Sequence, residues 1–114
     1  MPKTKVVGVT YEGRQDVINS MNEMLDNLIA KREPENPHDE NAIAIYVEKH
    51  NGELQSVGYI NRGLAAKLSP VIKEQNLELI IDDYVIVGNR EAGKNLGIIF
   101  NYTLYNRDKG EIKV

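Results

Sequence analysis

Apolar and polar positions change period several times along this chain, and each change marks an element. Val6 to Val9 is β-branched and bounded by Gly8 and Gly13, which predicts a first strand. From Arg14 the period becomes helical. Val17, Ile18, Met21, Met24 and Leu25 fall on one stripe, with Asp16, Asn19, Asn22 and Glu23 around it. Leu28–Arg32 reads as a second strand that Pro34 and Pro37 end. A third strand, Ala42–Val47, turns Ile43, Ile45 and Val47 to one face and Ala44 and Tyr46 to the other.

His50-Asn51-Gly52-Glu53 is a hairpin signal, because Asn-Gly tolerates the positive φ angles of a type I′ turn. The returning strand carries Val57 and Tyr59. Asn61 then suits the N-cap of a second helix with the stripe Leu64, Ala65, Leu68, Val71 and Ile72. Pro70 either kinks this helix or restarts it after Ser69. Leu77–Ile81 and Tyr84–Val87 are strand-like. After a glycine-containing turn, Ile98–Tyr105 forms the last strand, with Ile98, Phe100, Tyr102 and Leu104 on one side. The expected fold is α+β but mainly β, in the order β-α-β-β-β-α-β-β. Two helices among hairpin-linked strands imply a small, partly closed antiparallel barrel with helices plugging its ends.

Composition narrows the function classes. At 114 residues the chain is expected to be one domain, 1–114. It has no cysteine, so neither a disulfide framework nor a thiolate metal site is available. No apolar run approaches the ~20 residues that span a bilayer, and the start lacks a signal peptide's apolar segment. A soluble, cytoplasmic protein is the expectation, with no membrane partner. The formal net charge of −3 argues against a long phosphate track, which needs many Lys and Arg contacts. It still allows one or two nucleotides to be held in a local basic and aromatic pocket.

Catalytic chemistry finds no support. Gly88-Asn89-Arg90-Glu91-Ala92-Gly93-Lys94-Asn95 approaches a phosphate loop, but Asn95 stands where a Ser or Thr should bind magnesium, and a strand follows rather than a helix. It reads as a hairpin turn. His38 and His50 are the only histidines, and nothing in their spacing gathers a metal set. Ser20, Ser56 and Ser69 lack a glycine elbow, and Asp82-Asp83 reads as a turn or strand end. No enzyme activity, cofactor or metal is expected.

One segment stands apart: Arg32-Glu33-Pro34-Glu35-Asn36-Pro37-His38-Asp39 packs charge, amide, imidazole and two rigid prolines between two strands. Such a loop presents its polar groups at little extra entropic cost on binding. The plainer reading is a well-made connector in which Asn36 and Asp39 satisfy their own turn.

The stretch from Arg32 through Asn41-Ala42-Ile43 resembles the HIRAN family pattern of Arg-acid-Pro, Asn-Pro, aromatic-Asp and Asn-Ala-Ile. Val6-Val7-Gly8-Val9-Thr10-Tyr11 is similar to that family's first strand. Val57-Gly58-Tyr59-Ile60-Asn61-Arg62, with Leu64-Ala65, resembles its strand-to-helix junction. The likeness runs in family order from about Lys5 to Ile72, and beyond Asn76 only the strand pattern agrees. It implies a modified oligonucleotide-binding (OB-like) barrel. In the helicase-like transcription factor and its relatives this domain grips the 3′ end of single-stranded DNA and helps remodel stalled forks, whereas bacterial and phage members often stand alone.

Carried across, the resemblance implies that Tyr11 stacks on a terminal base and His38 is a second ring contact. Asp39 accepts the proton of a 3′-hydroxyl with Asn36 nearby, and Tyr59 and Arg62 flank the pocket. Thr10 stands where DNA-binding relatives can carry a basic residue, and Glu35 where they can carry a neutral amide. Both reduce positive potential at the site. Two readings follow: a non-catalytic binder of single-stranded DNA ends, partnered by a helicase or repair protein, and a protein-interaction or regulatory module that has kept the fold and lost DNA binding.

Overall fold

The computed structural model describes residues 2–112. Strand β1 (Lys3–Val7) leads to helix α1 (Arg14–Asn19), then β2 (Asn27–Arg32), β3 (Ile43–Glu48), β4 (Leu54–Ile60) and helix α2 (Arg62–Gln75). Strands β5 (Glu78–Val87), β6 (Gly97–Asn106) and β7 (Gly110–Ile112) complete the described chain. The sheet runs β2-β3-β4-β1-β6-β5, with β7 added on β6, and every pairing is antiparallel. It curls into an OB-like half-barrel. Its two end strands meet across the back, where the Tyr84 hydroxyl on β5 donates to the Asp26 carbonyl just before β2 at 2.7 Å.

Two bulges and one glycine give the sheet its curl. The register slips between Ile45 and Tyr46 and again between Ile81 and Asp83, and such insertions bend a strand and raise its twist. Gly58 has a φ of 144°, and a Cβ there would lie 2.3 Å from the Val7 carbonyl oxygen. Only glycine lets β4 approach β1 this closely. That approach sets Val7 opposite Tyr59 and so fixes which way Tyr59 faces.

The core fills the concave side. Ile43, Ile45 and Val47 from β3 meet Val57 from β4 and Ile98 and Phe100 from β6, each no more than 1% exposed. Ile18 of α1 and Ala65, Leu68 and Ile72 of α2 cover the openings. Full burial of each large aliphatic or phenyl side chain contributes roughly 1.5–3 kcal/mol. The alternation of Ile98, Phe100, Tyr102 and Leu104 is as the sequence predicts.

Several boundaries differ. The first strand is Lys3–Val7 rather than Val6–Val9. Helix α1 stops at Asn19, so Met24 and Leu25 leave the predicted stripe and are 93% and 58% exposed. The cause is local competition. Asp26 accepts from the Asn22 amide at 2.9 Å and Asn22 from the Met24 amide at 2.9 Å, and these bonds replace helical ones. The Asn51-Gly52 hairpin is not type I′, because among the described non-glycine residues only Glu12 and Asn76 have positive φ. The Gly52 amide donates to Lys49 at 2.8 Å while Gly52 itself has φ 88°, a type I turn followed by a glycine bulge.

Helix α2 runs unbroken through Pro70. Leu77–Ile81 and Tyr84–Val87 are one bulged strand, so Asp82 is a mid-strand residue, held by the Thr103 hydroxyl at 2.6 Å. The Gly88–Asn95 segment is a loop with a single 3-10 turn at Arg90–Ala92.

Candidate nucleic-acid interface

The loop between β2 and β3 is built from its own polar groups. The Glu33 amide donates to the Ala42 carbonyl at 2.8 Å and closes the base. Asn36 Oδ1 accepts from the amides of His38 and Asp39 at 2.8 and 3.1 Å. Asp39 Oδ1 accepts from the Asn41 amide at 2.9 Å. Both residues therefore brace the loop, as the connector reading requires. Each keeps a second polar atom: Asn36 Nδ2 donates to Glu33 Oε1 at 3.0 Å, and Asp39 Oδ2 faces Arg62 Nε at 3.7 Å.

Beside this loop lies an open groove of about 340 Å³, lined by Asn36, His38, Asp39, Tyr59 and Arg62 over an apolar base of Val7, Ala42 and Ile60. Three elements supply these residues. The loop brings Asn36, His38 and Asp39, the end of β4 brings Tyr59, and the first turn of α2 brings Arg62. Asn61 caps that turn, accepting from the Gly63 and Leu64 amides at 2.9 and 3.2 Å. Arg62 also donates to the His38 carbonyl at 3.4 Å, yet its side chain is 78% exposed. The exposed positive charge at this helix end is thus the guanidinium, since the cap already takes two of the amides.

Five of the eight residues singled out from the sequence line this groove. Tyr11 does not; it stands exposed on the turn after β1, with its ring edge 3.7 Å from where a Gly8 Cβ would be. Thr10 and Glu35 are exposed and outside the lining.

Two further residues shape the site. Glu33 Oε1 accepts from the Tyr59 hydroxyl at 2.9 Å as well as from Asn36, so one carboxylate joins the loop to β4. Burial, then the hydrogen bond to Glu33 and its charge, push the Tyr59 phenol above its ordinary pKa. Arg14, the first residue of α1, is buried with its guanidinium 5.5 Å from the Tyr59 ring centroid. It donates to the Gly8 carbonyl at 2.7 Å and lies 3.7 Å from Glu12. Glu33 was visible in the sequence as the acid of the Arg-acid-Pro pattern. Arg14 carried no signal, because an arginine opening a helix reads as solvent-facing.

A HIRAN domain family model matches residues 2–105. The chain belongs to the HIRAN family. Two solved structures share the fold. One is a protein from Lactobacillus plantarum, 17% identical, covering 88% of this chain and 91% of its own, with a TM-score of 0.57. The other is the HIRAN domain of human HLTF, 21% identical, covering 94% of this chain and 77% of its own, with a TM-score of 0.53. No curated protein matches the sequence. The HIRAN domain is a DNA-binding module and is not catalytic by itself. Among the described residues no three His, Asp or Glu side chains gather into a metal site, and no helix is long and apolar enough to cross a membrane.

Proposed function

We propose that this HIRAN domain recognises single-stranded DNA at a free 3′-hydroxyl end, in the groove between the 33–42 loop and α2. The observation that carries the reading is the convergence of Asp39, Asn36, His38, Tyr59 and Arg62 on one apolar-based groove. Asp39 Oδ1 is taken by the loop. Its Oδ2 sits 3.7 Å from Arg62, longer than a tight charged hydrogen bond of about 2.7–2.9 Å, and so is open to a hydroxyl donor. A carboxylate accepts from a 3′-hydroxyl and repels a 3′-phosphate. Val7, Ala42 and Ile60 offer the sugar or base an apolar rest, and Tyr11 and His38 give exposed rings for stacking, worth roughly 1–3 kcal/mol per base. Arg62 reaches the phosphate that precedes the terminal nucleoside.

The test is competition between otherwise identical single strands ending in a 3′-hydroxyl or a 3′-phosphate, followed by fluorescence anisotropy. The 3′-hydroxyl strand is expected to win by at least about tenfold, equivalent to about 1.4 kcal/mol. Equal affinity for both ends contradicts end recognition. Absence of binding at low salt favours the protein-interaction reading instead.

A further inference from the structure

A second cleft, of about 580 Å³, opens at the other end of α2, where the unpaired edges of β2 and β5 face each other. Arg32 from β2 and Lys73 from the last turn of α2 line it over Ile43 and Ile72. Arg32 is half-buried, and its Nε is shielded from solvent with no hydrogen-bond partner. Among the described residues, neither its guanidinium nor the Lys73 ammonium has a carboxylate within ion-pair distance. Glu78 lines the same cleft but pairs with Arg107 at 3.5 Å.

A partly desolvated cation without a counter-charge is unfavourable, and an oxyanion that supplies acceptors relieves that cost. The planar fork of arginine matches two phosphate oxygens, and lysine adds a point charge beside it. We infer that this cleft is a phosphate-binding site, in which Arg32 and Lys73 hold the oxygens of one phosphate group. It is separate from the end-binding groove. Lys73 lies eleven residues after Arg62 in α2, a rise of about 16 Å. The phosphate can come from the backbone of a bound strand or from free inorganic phosphate.

The direct test is NMR of the full chain with labelled arginine, following the Arg32 Nε–H signal. Inorganic phosphate is expected to move that signal saturably, whereas chloride at equal ionic strength leaves it in place. Lys73 is exposed, so Lys73→Gln keeps the fold and is expected to weaken phosphate binding at least about tenfold. A circular single strand, which has no 3′ end, separates the two sources. If it moves the signal, the site takes a strand's backbone; if only inorganic phosphate does, it takes the free anion. A signal that neither moves, or that moves equally with chloride or in Lys73→Gln, overturns the site, and none of these results bears on 3′-end recognition.

Discussion

The Arg14 guanidinium lies 5.5 Å from the centre of the Tyr59 ring, anchored by a 2.7 Å bond to the Gly8 carbonyl. This contact ties the start of α1 to β4 and puts a buried positive charge directly behind the groove. That charge lowers the Tyr59 phenol pKa and so works against burial and Glu33, which raise it.

Replacing Arg14 with methionine keeps most of the bulk and removes both the charge and the bond to Gly8. The expected loss is about 1–3 kcal/mol of stability by urea titration, with Arg14→Lys intermediate. If single-strand binding draws on this charge, Arg14→Met also weakens it and makes its salt dependence shallower. An unchanged salt slope limits Arg14 to packing.

Much of this architecture was readable in the residues. The Ile98-to-Leu104 alternation, the Asn61 cap and the polar economy of the Asn36–Asp39 loop follow from local rules, and the structure keeps them. What was not readable depends on tertiary contact or on local competition. Side-chain bonds among Asn22, Met24 and Asp26 end α1 early although the apolar spacing continues. The burial of Arg14 depends on tertiary contacts, among them the Gly8 carbonyl and the Tyr59 ring. The bulge at Asp82 and the short β7 pairing with β6 depend on sheet register, which periodicity does not encode.

Glu33 holds two partners, so its neutralisation is informative. Glu33→Gln removes a charged acceptor and is expected to cost about 1 kcal/mol. The phenol of Tyr59 then titrates closer to its ordinary value of 10.0, though still above it because burial remains. Phenolate absorbance reads the change. With the folded pKa raised, this stabilisation is complete below pH 10 and is lost as pH rises through the folded value. A Tyr59 titration that does not move in Glu33→Gln contradicts the bond.

Gly58 and Gly52 both have positive φ, but only Gly58 is crowded. A Cβ at Gly58 meets Val7 at 2.3 Å, whereas at Gly52 nothing lies within 4 Å. Gly58→Ala is expected to destabilise by at least about 3 kcal/mol and Gly52→Ala by about 1 kcal/mol. Equal effects in thermal or urea unfolding contradict the close β1–β4 approach.

Asp26 is a buried carboxylate, its side chain 2% exposed. The Asn22 amide is the main cause that holds its pKa below the ordinary 3.8; burial opposes this, and Lys49 at 3.2 Å supports it. A depressed folded pKa means that its stabilisation is present above about pH 4 and fades as pH falls through the folded value. Asp26→Asn is therefore expected to lose about 1–3 kcal/mol at pH 7. The gap between the two proteins then narrows below about pH 4. A gap that stays constant from pH 7 to pH 2.5 contradicts this assignment.

The most direct test concerns the charge of Asp39, separated from its role in the loop. Asp39→Asn retains an oxygen for the Asn41 amide, so the loop is expected to stay closed. The measurement is the ratio of affinities for 3′-hydroxyl and 3′-phosphate single strands in both proteins. The expected ratio is at least about tenfold in the native chain and close to one in Asp39→Asn, mainly through tighter binding of the phosphorylated end. A ratio near one in the native chain, or one that Asp39→Asn leaves unchanged, contradicts recognition of a free 3′ end in this groove.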